Sequence, residues 1–149
     1  IDETVGTVPG LDGRKMSSSY GNFIPLFLGE KKLRKMIMKI KTDSLGPSEP
    51  KNPDNSIIFD LYKLIATPEK VKAMRERFLA GIAWGEAKEE LFLEANEQLK
   101  KPREIYDSLM QNPQQIRAVL NSGRDKLRPK AQEFLSELKN TIGIPKNTF

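Results

Sequence analysis

A chain of 149 residues, 38% of them hydrophobic, has the length and apolar content of one ordinary globular domain, and leaves little room for a second. It has no cysteine, which excludes a disulfide framework and thiolate catalysis and makes a reducing cytosol the natural compartment; histidine is absent too. The net charge of +5 and sequence pI near 9.4 suit an anionic partner without identifying one.

Residues 1–29 carry glycines, two prolines and short apolar pairs, with Val5 and Val8 the only hint of an extended segment, so they read as mostly loop. Within them Lys15-Met16-Ser17-Ser18-Ser19 lies between Pro9-Gly10-Leu11-Asp12-Gly13-Arg14 and Tyr20-Gly21-Asn22. Gly10, Gly13 and Gly21 let the backbone take positive φ and approach a ligand closely. One ammonium, three hydroxyls and the backbone N–H groups can then face an anion. By composition alone a surface turn is the favoured reading, since Gly, Ser, Asn and Asp cluster in turns.

From Glu30 the period becomes helical, with Leu33, Met36, Ile37 and Ile40 on one stripe, ending near Thr42-Asp43-Ser44. Pro47, Pro50 and Pro53 deny a regular element up to Asn55. Asp54, Asn55 or Ser56 then caps a helix whose apolar face is Ile57, Ile58, Leu61, Leu64 and Ile65. Thr67-Pro68 reads as N-cap and first residue of a third helix, lined by Val71, Met74 and Phe78 and closed by Gly81. A fourth begins at Trp84 or Gly85 with Ala87, Leu91, Ala95 and Leu99 in register; Trp84 reads as a core anchor. Pro102 predicts a kink or short break, since proline costs roughly 3 kcal/mol in a helix interior, with Ile105, Leu109 and Met110 continuing the face.

Asn112-Pro113 repeats the cap arrangement before Ile116, Val119 and Leu120. Gly123 is expected to end that turn set, and a last helix from Arg128 or Pro129 uses Ala131, Phe134, Leu135, Leu138 and Ile142. The fold expected is all-α: a bundle of five or six helices preceded by a mostly irregular segment, divided into residues 1–29 and 30–149. No apolar run approaches the roughly eighteen residues that a membrane span needs. Lys31, Lys32, Arg34, Lys35, Lys39 and Lys41 crowd one segment and Glu86, Glu89, Glu90, Glu94 and Glu97 another, which predicts a positive end and a negative face.

The string Gly10-Leu11-Asp12-Gly13-Arg14-Lys15-Met16-Ser17-Ser18-Ser19-Tyr20-Gly21-Asn22 resembles the second signature of class I aminoacyl-tRNA synthetases, usually Lys-Met-Ser-Lys-Ser. Lys41-Thr42-Asp43-Ser44 and Trp84-Gly85-Glu86-Ala87-Lys88 look like landmarks of the tryptophanyl branch of that family, in its carboxy-terminal half. The resemblance spans nearly the whole chain and departs at Ser18, where a second lysine is usual. It implies a ligase that activates L-tryptophan with ATP and Mg²⁺ and charges the tRNA for tryptophan, in the cytoplasm and as a homodimer. Lys15 is then the catalytic cation that reaches the β- and γ-phosphates. Met16, Ser17, Ser18 and Ser19 complete the nucleotide contacts, Met16 by packing, and no protein metal site is expected.

The family's first signature is a His-Ile-Gly-His type sequence, which a chain without histidine lacks. Together with a start at Ile1-Asp2-Glu3 rather than methionine, this leads to the expectation of an excised piece, inactive alone. For RNA the candidates are Arg124, Lys126, Arg128 and Lys130, read as a cluster near a helix start, and the Lys31 to Lys41 group. A piece of a tyrosyl enzyme, a stand-alone helical RNA-binding module and an interaction domain with no nucleic-acid role are the competing readings.

Overall fold

Hydroxyl caps, followed by proline or an apolar pair, set two of the helix starts. In the computed structural model, which describes residues 6–144, the helices are α1 (Glu30–Met38), α2 (Ile57–Ile65), α3 (Pro68–Leu79), α4 (Trp84–Gln111) and α5 (Pro113–Thr141). Ser56, one of the three caps foreseen for α2, accepts a hydrogen bond from the Phe59 N–H at 3.4 Å. Thr67 does the same for Lys70 ahead of Pro68. No strand occurs among the described residues; an isolated antiparallel bridge joins Pro9 to Lys15. Val5 and the Ile1-Asp2-Glu3 start lie outside the described residues.

Two compact units emerge, residues 1–105 and 106–149. The first holds the core. Leu33 and Ile37 of α1, Ile58, Phe59, Leu61 and Tyr62 of α2, Met74 and Phe78 of α3, and Ala87, Leu91, Phe92 and Ala95 of α4 are all buried. Phe78 sits 5.4 Å from the Phe59 ring and edge-on to Trp84 at 5.8 Å. Burying one such side chain contributes about 1.5–3 kcal/mol. The expected negative face is largely neutralised: Glu86 and Glu90 pair with Arg77, Glu89 with Arg34, and Glu94 with Lys70.

The proline-rich connection between α1 and α2 is pinned rather than loose. Ser48 N–H donates to the Gly81 carbonyl and Lys51 N–H to that of Phe78, both at 2.9 Å. Gly81 has φ +92°, and a Cβ there would lie 2.4 Å from the Ser48 carbonyl carbon, so both conformation and space require glycine. The Lys51 side chain is buried. Its ammonium donates to the carbonyls of Gly46 and Glu49 and stands 5.4 Å over the Trp84 ring. Trp84 Nε1 donates to Asp43 Oδ1 at 2.9 Å, so two distant sequence landmarks, Thr-Asp-Ser and Trp-Gly-Glu-Ala-Lys, meet in one hydrogen bond.

Two expected interruptions are absent. α4 runs through Pro102 as one helix. The carbonyl that Pro102 leaves without its backbone donor is that of Gln98, and the neighbouring Arg103 guanidinium ties the residues on either side of it, donating to Leu99 O at 3.2 Å and Asn96 O at 3.1 Å. α5 likewise passes Gly123 and Pro129 without a break, so no helix starts at Arg128 or Pro129. A glycine inside a helix costs about 1 kcal/mol without ending it, and the glycine that does take the left-handed conformation past the end of α5 is Gly143, at φ +74°.

In the second unit the apolar stripe foreseen along α5 exists but stays open. No residue of α5 is buried, and Val119, Leu120, Leu127 and Phe134 are each about two-thirds exposed.

Candidate functional site

A short antiparallel closure shapes the signature loop. Met16 N–H donates to the Val8 carbonyl at 2.9 Å, Gly10 N–H to Arg14 O at 2.6 Å, and Gly13 N–H to Gly10 O at 3.0 Å. The turn demands φ +85° at Gly13. Beyond it, Ser18–Tyr20 form a single 3₁₀ turn; the Ser17 hydroxyl caps it by accepting from Ser19 N–H, and Gly21 ends it at φ +63°. Two open glycine turns therefore flank a stretch whose own backbone is ordered.

The side chains divide by direction. Lys15 is exposed and borders an open cleft of about 490 Å³ together with Thr7, Gly13, Asp60, Lys63 and Leu64. No ion pair or hydrogen bond holds its ammonium among the described residues. Lys63 brings a second ammonium to the same cleft, held by Asp60 at 2.8 Å. Met16 points the other way and packs against the core beside Val8, Ile24 and Leu61. Ser18 and Ser19 are exposed, and Ser17 is half-buried.

Most of the loop's backbone donors are already used. Met16, Ser17, Ser19, Tyr20 and Gly21 each give their N–H to an acceptor within the segment, and of the amides from 16 to 21 only that of Ser18 is left without one among the described residues. What is left for a ligand is thus the Lys15 ammonium, the hydroxyls and the amides of Lys15 and Ser18, rather than a continuous row of N–H groups. Arg14 is taken as well: its Nε donates to Asp12 Oδ2 at 2.7 Å, and its guanidinium lies 4.6 Å over the Tyr20 ring.

Asn22 was not visible as a site residue in the sequence, where Tyr20-Gly21-Asn22 reads as a turn. It is buried, and its amide reaches Asp12, Lys15 and Ser17 at once. The Asn22 amide, followed by Arg14, holds the Asp12 carboxyl at about 2, below the usual 3.8, against an opposing effect of desolvation. The clue available beforehand was an amide side chain placed between a glycine-rich loop and the apolar Phe23-Ile24 pair.

The RNA candidates fare differently from one another. Lys31, Lys35 and Lys39 recur every fourth residue along α1 and its end, and with Met38 they border one shallow groove. Arg34 borders it too, but its guanidinium is engaged bidentately by Glu89. Arg124, Lys126, Arg128 and Lys130 stand in the middle of α5, not at a helix start, so the free N–H groups expected beside them are absent. At 3.6 residues per turn, positions two apart are separated by roughly 200°, which puts Arg124 and Arg128 on one side of the helix and Lys126 and Lys130 on the other. Arg124 pairs with Asp125 at 2.9 Å.

The comparisons with known proteins converge. The family described as tRNA synthetases class I (W and Y) matches residues 3–100. A tryptophan–tRNA ligase of Pseudomonas syringae pv. tomato is 47% identical over 144 residues, 97% of this chain and 32% of its own length; that of Neisseria meningitidis is 44% identical over 97% and 43%. The chain thus spans about a third to two-fifths of these relatives. The crystal structure of tryptophanyl-tRNA synthetase from Campylobacter jejuni, complexed with ADP and tryptophan, superposes with a TM-score of 0.90 at 36% identity, over 95% of this chain and 45% of that one. A second structure of the Campylobacter jejuni enzyme gives 0.86. With two-thirds of its length matched by the family and nearly all of it by these relatives, the chain belongs to the class I tRNA synthetases of the tryptophan and tyrosine group.

Proposed function

We propose that the complete protein is a tryptophan–tRNA ligase and that this chain supplies its pyrophosphate clamp and tRNA-facing helices. The observation that carries the reading is Lys15: an ammonium on a cleft, without a partner among the described residues, at the end of a loop whose backbone donors are mostly used. ATP enters with its magnesium as substrate. The tryptophan carboxylate oxygen bonds to the α-phosphorus as the bond to the β-phosphate oxygen breaks, and negative charge gathers on the departing pyrophosphate. Lys15 stabilises that charge as it develops, with the Ser17 to Ser19 hydroxyls donating. No side chain forms a covalent bond, so the rate rests on positioning and preorganised charge. The tRNA terminal hydroxyl then takes the tryptophanyl group and AMP leaves.

For tRNA phosphates, Lys31, Lys35 and Lys39 are better disposed than the α5 cations, because they share one face. We place the acceptor arm there and leave the anticodon to the later helices, in a homodimer of the complete enzyme in the cytoplasm. Tryptophan is favoured over tyrosine because the similar proteins are tryptophan ligases.

Exchange of labelled pyrophosphate into ATP tests this. The complete protein should catalyse it with tryptophan and not with tyrosine, and purified residues 1–149 should not catalyse it at all. Exchange driven by tyrosine would overturn the substrate, and exchange by residues 1–149 alone would overturn the division of the site.

A further inference from the structure

Lys15 has a long flexible stem, and a cation so carried works only if its backbone is held in place. We infer that Asn22 is the positioning residue that holds it; the inference rests on the reading of Lys15 given above. Asn22 is 5% exposed, in a segment whose neighbours Gly21 and Phe23 are exposed. Every polar group of its side chain is engaged. Nδ2 donates to the Lys15 carbonyl at 3.1 Å and to Asp12 Oδ1 at 2.7 Å, and Oδ1 accepts from Ser17 N–H at 2.8 Å. Its backbone carbonyl accepts from Leu11 N–H at 2.9 Å.

Two of these bonds fall on either side of Met16. Fixing the carbonyl of Lys15 and the amide of Ser17 fixes the peptide planes before and after Met16, while the Met16 side chain is held in the core. The Lys15 Cα is thereby set, and only its own side-chain rotamers remain to be chosen as phosphate arrives. Asp12 closes the arrangement from the far side, oriented by Arg14 through its N–H at 3.1 Å and its guanidinium at 2.7 Å. Gly10 is the fourth part. A Cβ on Gly10 would lie 2.2 Å from Asn22 Nδ2, so a side chain there and the amide in its present place exclude each other.

A residue that merely stabilised the fold would affect every step alike, whereas one that acts through Lys15 should affect adenylate formation and nothing else. In the complete enzyme Asn22→Asp keeps the shape but sets a carboxylate against Asp12 and the Lys15 carbonyl. Single-turnover adenylate formation should fall on the order of 10–10²-fold, the loss expected from misplacing a charge by about 1 Å. Tryptophan affinity, and transfer of tryptophan from preformed adenylate to tRNA, should stay as they are. In a Lys15→Ala background Asn22→Asp should cost much less than it does alone, since the charge it positions is gone. Gly10→Ala should reproduce the defect. Asp12→Asn together with Asn22→Asp restores a donor–acceptor pair and should recover part of the rate.

A normal rate for Asn22→Asp beside a slow Lys15→Ala overturns the inference alone. Equal losses in affinity and transfer, or losses that add to those of Lys15→Ala, overturn it as well. A normal rate for Lys15→Ala overturns the reading of the loop and this inference with it.

Discussion

Asp12 carries the electrostatics that organise the signature loop without facing the cleft itself. Its carboxylate is the shared acceptor of the Asn22 amide and the Arg14 guanidinium, which together hold it near 2. Because the folded value lies below the ordinary 3.8, the contribution of this carboxylate to stability is complete above about pH 4 and is lost as the pH falls through 2. Loop geometry should therefore be insensitive to Asp12 across neutral pH. An NMR titration of the Asp12 carboxyl should give a midpoint near 2, moving toward 3.8 in Asn22→Ala; a midpoint near 3.8 in the unaltered protein would contradict the arrangement. At this scale the sequence was legible for Met16, read as the packing residue of the loop and found against the core, while Lys15 and the serines as an anion loop belong to the proposal. It was not legible where a side chain's role depends on distance, and nothing about Asn22 in isolation separates a turn former from a clamp.

Most helix starts were readable, as was the close of α3 at Gly81, whereas the start expected at Arg128 or Pro129 is absent. Ser56 and Thr67-Pro68 each cap a helix through a local bond over three residues, and Asn112-Pro113 precedes one although the Asn112 side chain makes no cap bond. Pro102, Gly123 and Pro129 misled because a breaker is a penalty that the rest of a helix can outweigh. The two readings of Gly123 differ in the sign of one substitution. Within a continuous α5, with ordinary helical φ and nothing within 4 Å of a new Cβ, Gly123→Ala should stabilise by about 0.5–1 kcal/mol. A thermal melt that falls instead would show that Gly123 is a left-handed cap and that α5 is two helices.

Over the whole molecule, the landmarks that carried the family resemblance turn out to be physically joined. The Thr-Asp-Ser segment meets the Trp-Gly-Glu-Ala-Lys segment through Asp43 and Trp84, and Trp84 in turn packs on Phe78 and shelters Lys51. What sequence could not convey is how far the helices cover one another. The stripe on α1 to α4 is buried in the first unit, whereas that on α5 remains open among the described residues. In the first unit Lys15 borders a cleft with its backbone locked by Asn22. The most direct measurement is the single-turnover rate of tryptophanyl-adenylate formation by the complete enzyme bearing Lys15→Ala. A rate lower by about 10²–10³-fold, as for other lost stabilisers of developing charge, is the predicted result. An unaltered rate would contradict it.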